Sequence, residues 1–278
     1  MKKFKLSRRI LPVLFSIIAF TVNAQKLPNV QQSSLRAPVD IKIDGKATEW
    51  DDKYQAYNKS TELFYTISND NNILYLIVHA IKPRIIQKII AVGVTLIVNN
   101  AGKKSDKAME NAVITYPFLS FKNGENIISN TGLKSVNIIP KFNDTAQEIL
   151  ISKKKSDSLI AIANNLFSNQ SKLIKIKGLA GIPDTAISVY NEQSIRTAAT
   201  FDNAKTYTYE LSVPLKYLGF SIDNLQKFTY NIRLISRFDA NKGRVSTYYR
   251  YGDGGQIDMN ADLDATTDFW GEYTLAKK

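Results

Sequence analysis

The polar and apolar positions of this chain alternate for long stretches, starting early. Val39, Ile41 and Ile43 fall between Asp40, Lys42 and Asp44, the two-residue period of a half-buried strand that ends in a turn at Asp44-Gly45. Leu63, Tyr65 and Ile67 alternate with Phe64, Thr66 and Ser68. The turn signal Asn69-Asp70-Asn71-Asn72 follows, and Ile73 to Ile81 returns as the second arm of a hairpin. That second strand is apolar on both faces, which predicts a central place in its sheet. Ala91 to Asn99 is a further strand, with Val92, Val94, Leu96 and Val98 on one face. Tyr207, Tyr209, Leu211 and Val213 alternate until Pro214, which cannot donate to a ladder and ends the strand. Thr229–Phe238, Val245–Tyr251 and Phe269–Leu275 complete the stronger strands. Val113–Tyr116, Val136–Ile139 and Leu173–Lys177 are shorter β segments. Residues 51–61 are polar and read as a loop, and residues 25–36 as a polar leader ahead of the fold.

One segment changes period. Leu159, Ile162, Ala163 and Leu166 recur at helical spacing behind Ser156, a good N-cap, and predict a short inserted helix over 157–168. Some ten short strands around a single helix, with no strand-helix rhythm, predict an all-β, antiparallel, jelly-roll-like sandwich over residues 37–278. Its two sheets are expected to bury Ile43, Leu74, Leu76, Val94, Leu96, Leu211, Val213 and Ile232 between them.

Composition adds a destination. Lys2, Lys3, Lys5, Arg8 and Arg9 precede the apolar run Ile10–Val22, and Val22-Asn23-Ala24 offers small residues for cleavage before Gln25. This reads as a signal peptide over residues 1–24 and predicts export to the periplasm or the medium. The apolar run is too short to span a bilayer as a helix, and no later stretch is long enough. The chain has no cysteine, so its stability is expected to come from its core. Removing the five basic residues of the signal leaves 32 Lys and Arg against 25 acids, a net +7 instead of +12. No basic block is interleaved with aromatics in a nucleic-acid motif; the excess reads as a solvated face, with attraction to acidic glycans or an anionic surface as the alternative.

Three stretches carry a resemblance. They are Ile43-Asp44-Gly45-Lys46 running into Glu49-Trp50, then Tyr209-Glu210-Leu211-Ser212-Val213-Pro214-Leu215, and finally Thr267-Asp268-Phe269-Trp270-Gly271-Glu272-Tyr273. Together they resemble family 9 carbohydrate-binding modules and their β-sandwich relatives. The resemblance implies a sandwich that grips a sugar between aromatic side chains on loops at one end. It also implies structural work for Glu49 and Trp50, with Trp50 buried.

Catalytic patterns are thin. His79 is the one histidine, no thiol exists, and no Gly-x-Ser-x-Gly elbow occurs. A packed or hydrogen-bonded strand histidine is the favoured reading of His79. Sugar recognition needs flat aromatic faces with planar polar groups beside them. Tyr248, Tyr249, Arg250 and Tyr251, with Arg237 on the preceding strand and Trp270 on the last, are the candidates for that work. Ordinary cross-strand pairing would explain the same residues. Asp258-x-Asn260-x-Asp262-x-Asp264 places oxygen ligands at alternate positions and resembles the start of a calcium loop. Leu263 stands where the turn glycine should be and Phe269 where the bidentate acid should be, so a structural calcium ion and an ion-free loop are both open. Two functions follow: an exported non-catalytic module that binds a saccharide, or a structural or protein-interaction sandwich of the cell envelope.

Overall fold

The computed structural model describes residues 26–105, 111–119, 127, 146–224, 227–236 and 265–277. The alternating stretches become two antiparallel sheets. The first contains β1 (Ala56–Asn58), β2 (Leu63–Asn69), β3 (Ile73–Ala80), β8 (Arg196–Phe201) and β9 (Tyr207–Pro214), in the order β1-β2-β3-β9-β8. The second contains β4 (Val94–Asn99), β5 (Ala112–Tyr116), β6 (Leu173–Lys177), β7 (Ala186–Ser188), β10 (Lys227–Leu234) and β11 (Thr267–Thr274), in the order β11-β10-β4-β5-β6-β7. The fold is an all-β antiparallel sandwich, with the doubly apolar β3 at the centre of its sheet.

The inward residues of both sheets form one apolar cluster. Tyr65 of β2 meets Tyr230 of β10 through hydroxyls 3.0 Å apart, and Tyr116 of β5 stacks on Tyr209 of β9 at 5.7 Å. These contacts bury large rings and still pair part of their polar ends. Gly271 of β11 is glycine for lack of room: a Cβ there would lie 2.2 Å from the Tyr230 ring. Leu74, Leu76, Val94, Leu96, Leu211, Val213 and Ile232 are buried in this core as expected. Ile43 is not among them; it packs outside the five-stranded sheet, in a second cluster with Trp50, Tyr75 and Ile77.

Ile43 moves because the opening strand does not form. Residues 39–43 are irregular, and Asp40 at φ 56 breaks the extended run. The segment crosses the face of the sheet instead of joining an edge. The stretch read as a leader is likewise structural from Pro28 onward. Pro28 accepts from the Tyr57 N–H, the Gln31 side-chain amide pairs with both backbone groups of Ile67, and Leu35 accepts from the Asn69 N–H. Within the expected loop at 51–61, residues 56–58 pair with β2 as β1.

Two helices, not one, occur among the described residues. α1 (Pro83–Val92) begins with the proline that fits a helix's first turn and buries Ile85, Ile86, Ile89 and Ile90. It takes the first two residues of the strand expected over 91–99. α2 (Ala146–Gln170) is a full 25 residues, not a short insert. Its Phe167 ring meets Tyr116, Phe201 and Tyr207 edge-on, so α2 closes the open side of the core.

Candidate functional site

The outer face of the five-stranded sheet carries its side chains in transverse rows fixed by strand register. One row runs Thr66, Ile77, Glu210, Ala198, and the next Ser68, Tyr75, Ser212, Arg196. A third runs Tyr57, Phe64, His79, Thr208, Thr200.

The segment from Leu35 to Tyr54 lies over the first two rows. Glu210 is fully buried beneath it, and its Oε2 accepts the backbone N–H groups of Asp44 at 2.9 Å and Gly45 at 2.8 Å. Gly45 sits at φ 86 against β8, where a Cβ would come within 2.8 Å of the Ala199 backbone, and its carbonyl accepts from the Thr200 hydroxyl. The Asp44-Gly45 turn and the β9 stretch around Glu210 are therefore one physical unit, the turn being held by the Glu210 carboxylate. Burial pushes the Glu210 carboxyl up from its ordinary 4.5 to about 7, although the two N–H donors pull the other way. Trp50, in the short 3₁₀ turn Thr48–Trp50, is 7% exposed and meets Tyr75 edge-on at 6.3 Å. Glu49 ties the same arch locally, accepting from the Lys42 N–H and the Thr48 hydroxyl. Those readings of Glu49 and Trp50 agree with the structure.

Beyond Tyr54 the cover stops and the aromatic row lies half-buried. Tyr57 and Phe64 are 4.6 Å apart, Tyr54 and Phe64 5.9 Å, and Tyr54 stacks on His79 at 5.1 Å with the rings 14° from parallel. His79 is packed and hydrogen-bonded, its Nδ1 3.0 Å from the Thr208 hydroxyl. Burial lowers its pKa, while Asp202 and Asp52 pull it back up. Past the row the same face continues with Glu62 and Ile81, the latter 47% exposed. Glu62 is bridged by Lys82 and Arg84. Asp202, held by the Thr206 N–H and hydroxyl, and exposed Asp52 complete a polar rim. The result is a patch of four rings bordered by carboxylates and cations at one end of the sheet. It can stack a flat apolar surface and bond the polar groups around it. Among the described residues no cluster of three or more His, Cys, Asp or Glu could hold a metal.

Of the ligand candidates taken from sequence, only Trp270 is among the described residues. It is half-buried on the outer face of the six-stranded sheet, opposite Asn231 of β10, with Asp268 and Arg233 bonded beside it. That is the far side of the sandwich from the aromatic row. Arg237, Tyr248, Tyr249, Arg250 and Tyr251 lie outside the described residues, as do the strands expected at 136–139 and 245–251 and Asp258, Asn260, Asp262 and Asp264 of the calcium-like loop. The row is not visible in the sequence because Tyr57 stands in an expected loop, Phe64 reads as an alternation partner and His79 as a packed or hydrogen-bonded strand residue. Its one legible signal was the polar-side aromatics of neighbouring strands. Comparison of the chain with protein-family models, curated proteins and solved structures gives no match, and its function has to be read from these residues and their geometry.

Proposed function

We propose that this chain is an exported, non-catalytic binding module that takes a saccharide on the Tyr54–Tyr57–Phe64–His79 patch. The observation that carries the reading is the continuous row of half-exposed rings beside Asp52, Asp202, Glu62 and Lys82. Pyranose rings offer one apolar face to an aromatic and a belt of hydroxyls to carboxylates and cations. The likeness of the three stretches to sugar-binding modules supports the same reading. So does the basic and apolar leader, which directs the chain toward the compartment where polysaccharide is met. A few stacked rings with a polar rim suit a weak ligand, of roughly millimolar to micromolar affinity.

The test is a glycan array followed by calorimetry on the chain from Gln25. Phe64→Ala and Tyr57→Ala should each weaken the best glycan at least tenfold with the fold retained by circular dichroism, and Trp270→Ala should leave it unchanged. Binding that is lost in Trp270→Ala and kept in Phe64→Ala moves the site to the opposite sheet. Binding to no glycan rejects the saccharide and leaves the envelope interaction sandwich.

A further inference from the structure

A second site lies along the sheet's other border. β8 is an edge strand, bonded to β9 alone. In an antiparallel pair, alternate residues turn both backbone groups toward the partner and the others turn both away. Phe201 shows which set is which. Its N–H and C=O both bond the side-chain amide of Asn164 on α2, at 2.8 and 2.9 Å, away from β9. Asn164 acts there as one residue of a neighbouring strand. By the same parity Ala199 and Thr197 point outward, and no hydrogen bond within the described residues uses their four backbone groups.

These groups open into a groove of about 1100 Å³ that follows β8 from Arg196 to Thr200. One wall is Ile41, Ile43 and Tyr75 on the outer side of the sheet; the other includes Asn165 and Ser168 of α2 with Val189, Tyr190 and Ser194. The edge is recessed between them, which admits a single extended chain and shuts out the broad edge of a second sandwich. A strand here would gain up to four main-chain bonds over about 16 Å. Its alternate side chains would face the isoleucine wall and the α2 wall in turn. Arg196 and Lys172 stand at the rim, and exposed Asp44 is the acid among the residues lining the groove. The Lys172 ammonium already caps the ring of exposed Tyr190.

We propose that β8 is a strand-addition site for an extended peptide of a partner protein, one that alternates apolar residues and carries an acidic side chain toward Arg196. The site is distinct from the aromatic patch and stands or falls without the saccharide reading. Unpaired edges invite such pairing unless they are covered or blunted, and here Asn164 blunts one end only.

The test uses the chain from Gln25 and peptides selected on it from a displayed random seven-residue library. Amide exchange of the complex should show at least tenfold added protection at Thr197 and Ala199, and none at Ala198 and Thr200, which already bond β9. Ala199→Pro removes an outward N–H that β9 does not use, and should weaken the selected peptides at least tenfold. Arg196→Glu, which leaves the strand edge intact, should weaken acidic peptides and spare their neutral versions. Protection of Thr197 and Ala199 in the free protein would overturn the proposal, because the chain then covers its own edge. So would selected peptides that protect other amides, or self-association that Ala199→Pro abolishes, which would make a second copy the occupant.

Discussion

The outer face of the five-stranded sheet is one surface treated in two ways. Over the rows of Glu210 and Tyr75 the chain folds back on itself, buries a carboxylate, and anchors its turn on that carboxylate's oxygen. Over the Tyr57–Phe64–His79 row it leaves the rings half open. Both halves contain aromatic side chains on the same strands, so composition does not separate them. What separates them is the reach of one segment, Leu35 to Tyr54, which ends with Tyr54 laid on His79. The covered half holds the fold together, and the uncovered half is free to meet a ligand.

That division predicts graded effects. The largest belongs to Trp50, the biggest ring under the arch. Trp50→Ala should cost about 3–5 kcal/mol in chemical denaturation. A melting temperature equal to wild type would mean that the arch is not a structural cover.

Glu210 should give the next effect, and give it a pH dependence. Its carboxyl titrates at about 7 in the folded protein against an ordinary 4.5. Between those values the folded state keeps a proton that the unfolded chain has lost, so stability falls as pH rises through the window and levels off above it. At about 1.36 kcal/mol per pH unit, the wild type should lose up to about 3 kcal/mol between pH 4.5 and 7. Glu210→Gln should flatten that part of the profile. Parallel profiles for the two proteins would show that the group does not titrate there.

Gly45→Ala should be milder, at about 1–3 kcal/mol, from a left-handed backbone and a Cβ pressed against Ala199. A neutral result in thermal unfolding would mean that the turn and β8 can separate freely. The smallest stability effect is expected in the open half: Tyr57→Ala should shift unfolding by only about 1 kcal/mol while reducing glycan binding. A loss of several kcal/mol there would make the row part of the core and erase the contrast.

The architecture was legible because a strand's period of two survives without tertiary knowledge. β2, β3, β9 and the inward residues of β10 and β11 follow from alternation, and Pro214 marks a real strand end. α1 was harder to see, since its isoleucines at 85, 86, 89 and 90 run straight into the valines of β4 and share their apolar character. Two of the three stretches singled out in the sequence contain Asp44, Gly45 and Glu210, and neither says that they touch.

Sequence by itself determined which residues of β2, β3, β4, β9 and β10 face inward, because alternation is local and burial of one face is its consequence. It also determined that any strand over 39–43 would have to find a partner. Only the tertiary structure decided that it finds none. Asp40 at φ 56 breaks the extended run, and the segment instead seals a sheet face by giving two N–H groups to one buried carboxylate. The same long-range packing decided which aromatics stay open and which edge stays bare. Exposure depends on where a distant segment comes to rest, 165 residues away in the case of Gly45 and Glu210, and no local pattern encodes that distance.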